Sequence, residues 1–168
     1  MTPRAHPQKP YRRFSARTAR ALSAIAIGGL WSWFLLKFLC PSATGVLEAL
    51  VGLLALTSII AAIPLMLSTY AFRANAPAAA IDERELAERN RAYFVTVMYA
   101  ASVALIGFIA VEVVSRAPAP TPTGLALNFP GSISHGVASN FFQVFFLTTL
   151  AFPTAVLAWW DRGDADEG

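Results

Sequence analysis

The sequence has few of the side chains from which catalytic, redox and metal sites are built. It contains one cysteine, Cys40, and two histidines, His6 and His135, in 168 residues. One cysteine excludes a disulfide within the chain and cannot form a thiolate metal site alone. Neither histidine falls in an apolar segment, so the paired axial ligands of a membrane haem are missing. We therefore predict no cofactor, no metal site and no enzymatic activity.

Charged residues are also scarce. They make up 14% of the chain, whereas 56% of its residues are hydrophobic, well to the apolar side of a soluble protein. The net charge of +3 comes from basic residues gathered beside apolar segments. That distribution indicates orientation in a membrane rather than a nucleic-acid surface. The predicted partners are the lipid bilayer and other membrane protein subunits, with no nucleic acid.

Four apolar stretches are long enough to cross a hydrocarbon core about 30 Å thick, which needs about 20 apolar residues in a helix. The predicted spans are residues 21–40, 46–72, 93–115 and 139–160. They predict an all-α integral membrane fold with three parts: a basic cytoplasmic tail over residues 1–20, a four-helix transmembrane domain over 21–160 and an acidic cytoplasmic tail over 161–168.

Lysine and arginine set the predicted orientation, because they are retained on the cytoplasmic side of a membrane. Six of them precede the first span: Arg4, Lys9, Arg12, Arg13, Arg17 and Arg20. Four more lie between the second and third spans: Arg73, Arg84, Arg89 and Arg91. The opposite side has only Arg116 in its loops, with Lys37 just inside the first span. We therefore predict a multi-pass protein of the inner (plasma) membrane with both termini cytoplasmic.

Further patterns bear on that topology. Tyrosine and tryptophan prefer the headgroup level, and Tyr70, Tyr93, Trp159 and Trp160 all fall on the predicted cytoplasmic side. A cleaved signal peptide in place of the first span is less favoured, because Lys37 interrupts the apolar run and no small-x-small cleavage site follows. Pro64 and Pro153 lie inside the second and fourth spans, where proline removes a backbone donor and predicts a kink.

The loop between the second and third spans predicts a helix start at Asp82. Asp82 followed by Glu85 resembles a capping box, and no helix breaker separates them from Tyr93. We expect one helix from Asp82 to Ser115, which extends the third span into the cytoplasm.

The charged extension has two interpretations. Arg84 and Glu88, and likewise Glu85 and Arg89, stand one turn apart, the spacing of stabilising helical ion pairs. The extension is therefore either a solvated, self-paired helix that sets topology or a surface that docks a partner. In the second case the docking side chains are Asp82, Glu85, Glu88 and Arg89.

Three ionisable residues lie within spans, each near the predicted external end of its helix. They are Lys37, Glu48 and Glu112. An unpaired charge in hydrocarbon is costly, so such residues are candidates for function. Three alternatives stay open: independent snorkelling to the interface, a structural lysine–glutamate cluster, or part of a proton or cation path.

Small residues within the spans predict close approach of helices. They are Gly28 with Gly29, Gly52, Ser58 with Ala62, and Ala100 with Ala104. The sequence leaves open whether these surfaces pack within the chain, against a second copy in a homo-oligomer or against another subunit.

A short resemblance involves the start of the third helix. Asp82-Glu83-Arg84-Glu85, followed by Arg91-Ala92 and an apolar span, resembles the charged element that leads into a span in small uncharacterised bacterial four-helix membrane proteins. The resemblance implies no catalytic or binding residues.

The absence of catalytic groups and the many small-residue surfaces favour one function class. The leading hypothesis is a non-catalytic accessory or assembly subunit of a larger membrane protein complex. The alternatives are a small oligomeric transporter or channel and a membrane sensor or regulator that signals through the helix over residues 82–91.

Overall fold

The computed structural model describes residues 13–40, 44–116 and 135–161, without the side chains of 114–116. Helices are the regular elements of these ranges, which confirms the all-α class. Four helices are long and apolar enough to cross a membrane, as predicted: Ala16–Leu39, Val46–Met66, Glu83–Val113 and His135–Trp160. Of the two predicted tails, residues 1–12 and 162–168 lie outside the described residues.

The first long helix contains a π-helical segment that the sequence does not predict. It consists of α1, Ala16–Ser23, the π segment, Ala24–Gly28, and α2, Gly29–Leu39. The helix begins earlier than the predicted residue 21, because the Ser15 side chain accepts a hydrogen bond from the Thr18 N–H at 3.1 Å and caps its first turn.

The second predicted span is interrupted. Helix α3, Val46–Met66, ends two residues after Pro64, and α4, Thr69–Asn75, begins after Ser68. Ser68 has extended backbone angles, and its hydroxyl donates to the Leu65 carbonyl at 2.6 Å while accepting from the Ala71 N–H. One side chain thus satisfies both helix ends, which makes a break at this position favourable.

The predicted continuous third helix is confirmed. A short 3₁₀ turn, Ala78–Ala80, leads to α5, Glu83–Arg116, which is about 50 Å long at 1.5 Å per residue. Asp82 caps α5, since its carboxylate accepts a hydrogen bond from the Glu85 N–H at 2.7 Å.

Helix α6, His135–Trp160, is the centre of the structure and packs against each of α1 to α5. Within the most apolar windows of the long helices, 44% of residues are buried in α6, 17% in Ala16–Leu39, 17% in α3 and 6% in α5. Helix α5 packs mainly on α6, with a smaller contact to α4. The fold is therefore a three-helix core with α5 attached to one side.

Glycine allows two of these helices to approach closely. A Cβ atom on Gly29 would lie 2.0 Å from Ser58 Oγ, so α2 and α3 meet at this pair. Gly28 and Gly52, which carry the same prediction, have open space around them. In a membrane, close approach is stabilised by van der Waals contact rather than by the hydrophobic effect.

One end of the structure holds most of the buried alanines and is called the charged end below. There the start of α1, all of α4, the start of α5 and the end of α6 converge. Its buried core consists of Ala19, Tyr70, Ala74, Ala92, Leu157 and Ala158. The small side chains let four helix ends pack around the Tyr70 ring.

Candidate functional site

The charged end carries the densest set of polar contacts among the described residues. At its centre Arg73, on α4, reaches two carboxylates on the first turns of α5. Arg73 Nε lies 3.1 Å from Glu85 Oε1, and Arg73 donates from NH2 to Glu88 Oε2 at 2.8 Å. All three side chains are partly buried, which strengthens the ion pairs relative to pairs in bulk water. Arg73 thus fastens the start of α5 to α4.

Two other charged side chains on the start of α5, Arg84 and Arg89, also have partners within the chain. The predicted pair of Arg84 and Glu88 is present, at 3.3 Å. Glu85, whose helical neighbour at the next turn is Arg89, contacts Arg73 instead. Arg89 donates to the Ala76 carbonyl. A partner on a second helix has therefore replaced one of the two ion pairs expected within α5.

The candidate docking residues Asp82, Glu85, Glu88 and Arg89 are thus close together, but each contacts its own chain. Asp82 caps α5, the two glutamates contact Arg73, and Arg89 holds the turn after α4. The side of α5 that faces away from α4 is lined instead by exposed Glu83, Ala87 and Asn90.

Arg20 and Tyr70 complete the charged end at the C-terminus of α6. Arg20 Nε donates to the Ala158 carbonyl at 3.1 Å, and its NH2 group donates to the Asp161 carbonyl. Both carbonyls belong to the end of a helix, where the backbone leaves acceptors unpaired and the macrodipole favours a cation. The Tyr70 hydroxyl donates to Asp161 Oδ2 at 2.6 Å. The first helix, α4 and α6 are therefore tied together at one point.

Burial, and then the hydrogen bond and negative charge of Asp161, raise the pKa of Tyr70 to about 12. Tyr70 lies on α4, outside the four long helices. Because the folded-state pKa exceeds the ordinary value of 10.0, Tyr70 favours the folded state below pH 10. That contribution is lost as the pH rises from 10 to about 12.

We expect an ultraviolet titration of tyrosinate to show one tyrosine that ionises near pH 12, absent in Tyr70→Phe. In Asp161→Asn the pKa of Tyr70 should fall but stay above 10, because burial remains. The free energy of unfolding should fall between pH 10 and about 12 in the parent protein, and this part of the fall should be absent in Tyr70→Phe. An unchanged titration curve in Tyr70→Phe would contradict the assignment.

Of the three ionisable residues that the sequence places within spans, two lie near each other, at the end of the molecule opposite the charged end. Lys37 Nζ is 3.8 Å from Glu48 Oε1, with 35% and 59% of their side chains exposed. Such an exposed pair is worth less than about 1 kcal/mol. Glu112 is partly buried on α5. No group of three or more histidine, cysteine, aspartate or glutamate side chains placed to hold a metal ion occurs within residues 13–40, 44–116 and 135–161.

A row of hydrogen-bonded side chains in the middle of the molecule, at a level between its two ends, was not predicted from the sequence. Trp31 Nε1 donates to the Tyr99 hydroxyl at 2.8 Å, which lies 2.8 Å from Thr148 Oγ1. The Tyr99 ring stacks on Phe152, with 4.1 Å between centroids. Three polar side chains on three apolar helices were the available signal. These contacts connect the first helix, α5 and α6 through their side chains.

A groove beside the π segment was not predicted either. It has a volume of about 460 Å³ and lies between the first helix and α5, with α6 as its floor. No sequence pattern identifies a π segment, and nothing in the order of residues brings Ile27, Val95 and Trp159 to one groove.

Comparison with known proteins finds no protein-family model, no curated protein and no solved structure that matches this chain. Its function is therefore inferred from the geometry.

Proposed function

We propose that the chain is inserted in the inner (plasma) membrane through its four long helices, with the charged end in the cytoplasm. The basic residues and the interface aromatics support this placement, because Arg73, Tyr70 and Trp160 all lie at the charged end. The beginning of the first helix and the end of α6 also meet there, through Arg20. Both termini would then be cytoplasmic.

Within that membrane, the proposed role is a non-catalytic accessory or assembly subunit of a larger protein complex. The observation that carries it is the position of α5 on the side of the three-helix core, with 6% of its apolar window buried compared with 44% for α6. A helix attached along one stripe has the rest of its circumference available to another membrane protein.

The outward face of α5 offers a continuous line of exposed residues. They follow one another at steps of three or four, the periodicity of a single helix face, so a facing helix can contact this line along its length. We call these residues the α5 seam: Glu83, Ala87, Asn90, Phe94, Met98, Ala101, Leu105 and Phe108.

The composition of the α5 seam favours a protein partner over lipid alone. It continues without a change of face from the polar start of α5 into the apolar part, and lipid chains can cover only the apolar part. Ala87 and Ala101 lie between larger side chains, which creates the depressions into which a facing helix packs. The exposed face of α3 has small residues of its own, Ala49 and Gly52, but from Ala49 to Ile63 it is apolar apart from Thr57, as expected for lipid contact.

Site-directed photo-cross-linking in native membranes tests the proposal. A photoreactive amino acid replaces Leu105 on the α5 seam or, as the matched control, Leu56 on α3; the two leucines are 59% and 54% exposed. We expect the Leu105 position to give a discrete product with a different protein, identified by mass spectrometry, and the Leu56 position to give lipid adducts only.

Two outcomes would overturn the assignment. Lipid adducts alone at both positions would mean that the α5 seam has no protein partner. A product of twice the mass of the chain at Leu105 would assign the seam to a second copy, and the protein would then be a homo-oligomer rather than an accessory subunit.

A further inference from the structure

The groove beside the π segment, called the π groove below, has an open middle and two defined ends. Its walls include Ile27 on the first helix and Val95 on α5. Towards the middle of the molecule it ends near Phe152, which stacks on the Tyr99 ring. At the charged end it closes on Trp160, with the Arg91 guanidinium 5.0 Å from the centroid of the Trp160 ring. The groove is thus a lateral pocket that begins at the level of the charged end.

The π segment forms one wall of the groove. Ala24, Ile27 and Gly28 all belong to the π segment and line the groove. A Cβ atom on Gly28 would meet no atom within 4 Å, so the missing side chain leaves empty space there. π-helical turns are strained, and they are often found at functional sites. A groove lined by a π segment is therefore a candidate ligand site.

The lining of the π groove selects an apolar ligand. Ser23 is its hydroxyl-bearing residue, and the Ser23 hydroxyl already donates to the Ala19 carbonyl at 2.7 Å. A polar substrate would lose hydration along most of this wall, where the indole N–H groups of Trp159 and Trp160 are the remaining donors. The volume of about 460 Å³ is within the range of about 300–1,000 Å³ for small-molecule sites. A helix about 10–12 Å across needs more space than this, whereas a hydrocarbon chain is thin enough.

Cations flank the mouth of the groove at the charged end. Arg91 precedes the groove residue Val95 by one turn on α5, and Arg17 precedes Ala24 by two turns on the same face of the first helix. Both arginines are exposed, whereas Arg20 is bound to carbonyls at the end of α6. Trp159 and Trp160, next to this mouth, are residues that favour the headgroup level of a membrane. A negatively charged headgroup would meet positive charge on both walls.

We propose that the π groove binds one acyl chain of an anionic phospholipid from the leaflet at the charged end, with the lipid phosphate between Arg17 and Arg91. The proposal rests on the membrane placement given above and not on the α5 seam. Loss of the partner in the cross-linking experiment would leave it intact.

Native mass spectrometry of the delipidated full chain tests the lipid site. The protein, in a neutral detergent, is titrated separately with phosphatidylglycerol and phosphatidylcholine of the same chain length. We expect one phosphatidylglycerol to bind about tenfold or more tightly than phosphatidylcholine. Each of Arg17→Gln and Arg91→Gln should weaken phosphatidylglycerol binding about fivefold, because one cation near an anionic headgroup contributes about that factor. Phosphatidylcholine binding should weaken less, because its choline cation cancels the charge of its phosphate.

Matched variants separate the groove from the rest of the lipid-facing surface. Gly28→Leu fills the groove and should abolish the specific binding event, whereas Gly52→Leu adds the same side chain at another open glycine and should not. Arg84→Gln, whose parent side chain is 88% exposed on the start of α5, is the control for charge. If Gly28→Leu does not fold, Ala24→Leu, at an exposed groove residue, replaces it.

Each outcome of the titration decides for or against the lipid site. Equal affinity for the two lipids, or unchanged phosphatidylglycerol binding in both groove-filling variants, would overturn the proposal and leave only non-specific contact with lipid. A photoreactive residue in place of Trp159 that cross-links a protein in native membranes, together with no lipid preference, would also overturn it and assign the groove to a partner.

Discussion

Replacing Gly29 with valine is expected to lower the free energy of unfolding by about 1–3 kcal/mol, the usual cost of overpacking a well-packed contact. A Cβ atom at this position would lie 2.0 Å from Ser58 Oγ and 3.2 Å from Ser58 Cβ. The Ser58 hydroxyl donates to the Leu54 carbonyl at 2.7 Å, and Ser58 is fully buried. The hydroxyl can rotate away, but the Cβ atom of Ser58 cannot, so α2 and α3 must separate.

Unfolding by a denaturing detergent, monitored in a fixed micelle, measures the difference. Gly52→Val is the control, because Gly52 is also a helical glycine within an apolar span, but a Cβ atom placed on it would meet no atom within 4 Å. Gly29→Ala should be destabilised less than Gly29→Val. Adding Ser58→Ala to Gly29→Ala should restore most of the lost stability, because it removes Ser58 Oγ, the atom nearest to the new Cβ. Equal stability of Gly29→Val and Gly52→Val would show that α2 and α3 do not meet at Gly29.

The contrast between Gly29 and its neighbours shows what the sequence could not predict about packing. Gly28, Gly29 and Gly52 carry the same signal, a small residue in an apolar span. Which of two adjacent glycines faces α3 depends on a rotation of about 100° around the helix axis. Here the π segment that ends at Gly28 also changes that rotation. Residue type therefore predicted close packing, but not the surface on which it occurs.

Local signals predicted the helices better than the contacts between them. The start of α5 was predictable because Asp82 caps the turn that follows it, within four residues. The break at Ser68 was not, because a serine in an apolar run more often bonds within a continuous helix. Glu85 was expected to pair with Arg89, one turn along α5. Its carboxylate contacts Arg73 instead, which lies twelve positions earlier in the sequence, on another helix.

Removing the guanidinium of Arg73 is expected to lower the free energy of unfolding about as much as Gly29→Val does. Arg73→Met should lower the free energy of unfolding by about 1–3 kcal/mol, because it leaves two partly buried carboxylates, Glu85 and Glu88, without their shared cation. They lie one turn apart on α5 and would then repel each other. The same measurement in detergent gives the stability, and hydrogen exchange of the amides of residues 83–90 shows whether the start of α5 has detached from α4.

Arg84→Met is the matched control, because it removes the same side chain from the same acceptor, Glu88, at a site where the arginine is 88% exposed. Its cost should be below about 0.5 kcal/mol, with exchange unchanged. Adding Glu85→Gln to Arg73→Met should recover part of the stability, since one of the two carboxylates that have lost Arg73 becomes neutral. Equal effects of Arg73→Met and Arg84→Met would mean that burial does not strengthen the Arg73 pairs. The start of α5 would then be held by Arg89 and the buried alanines, and its carboxylates would be available to a partner.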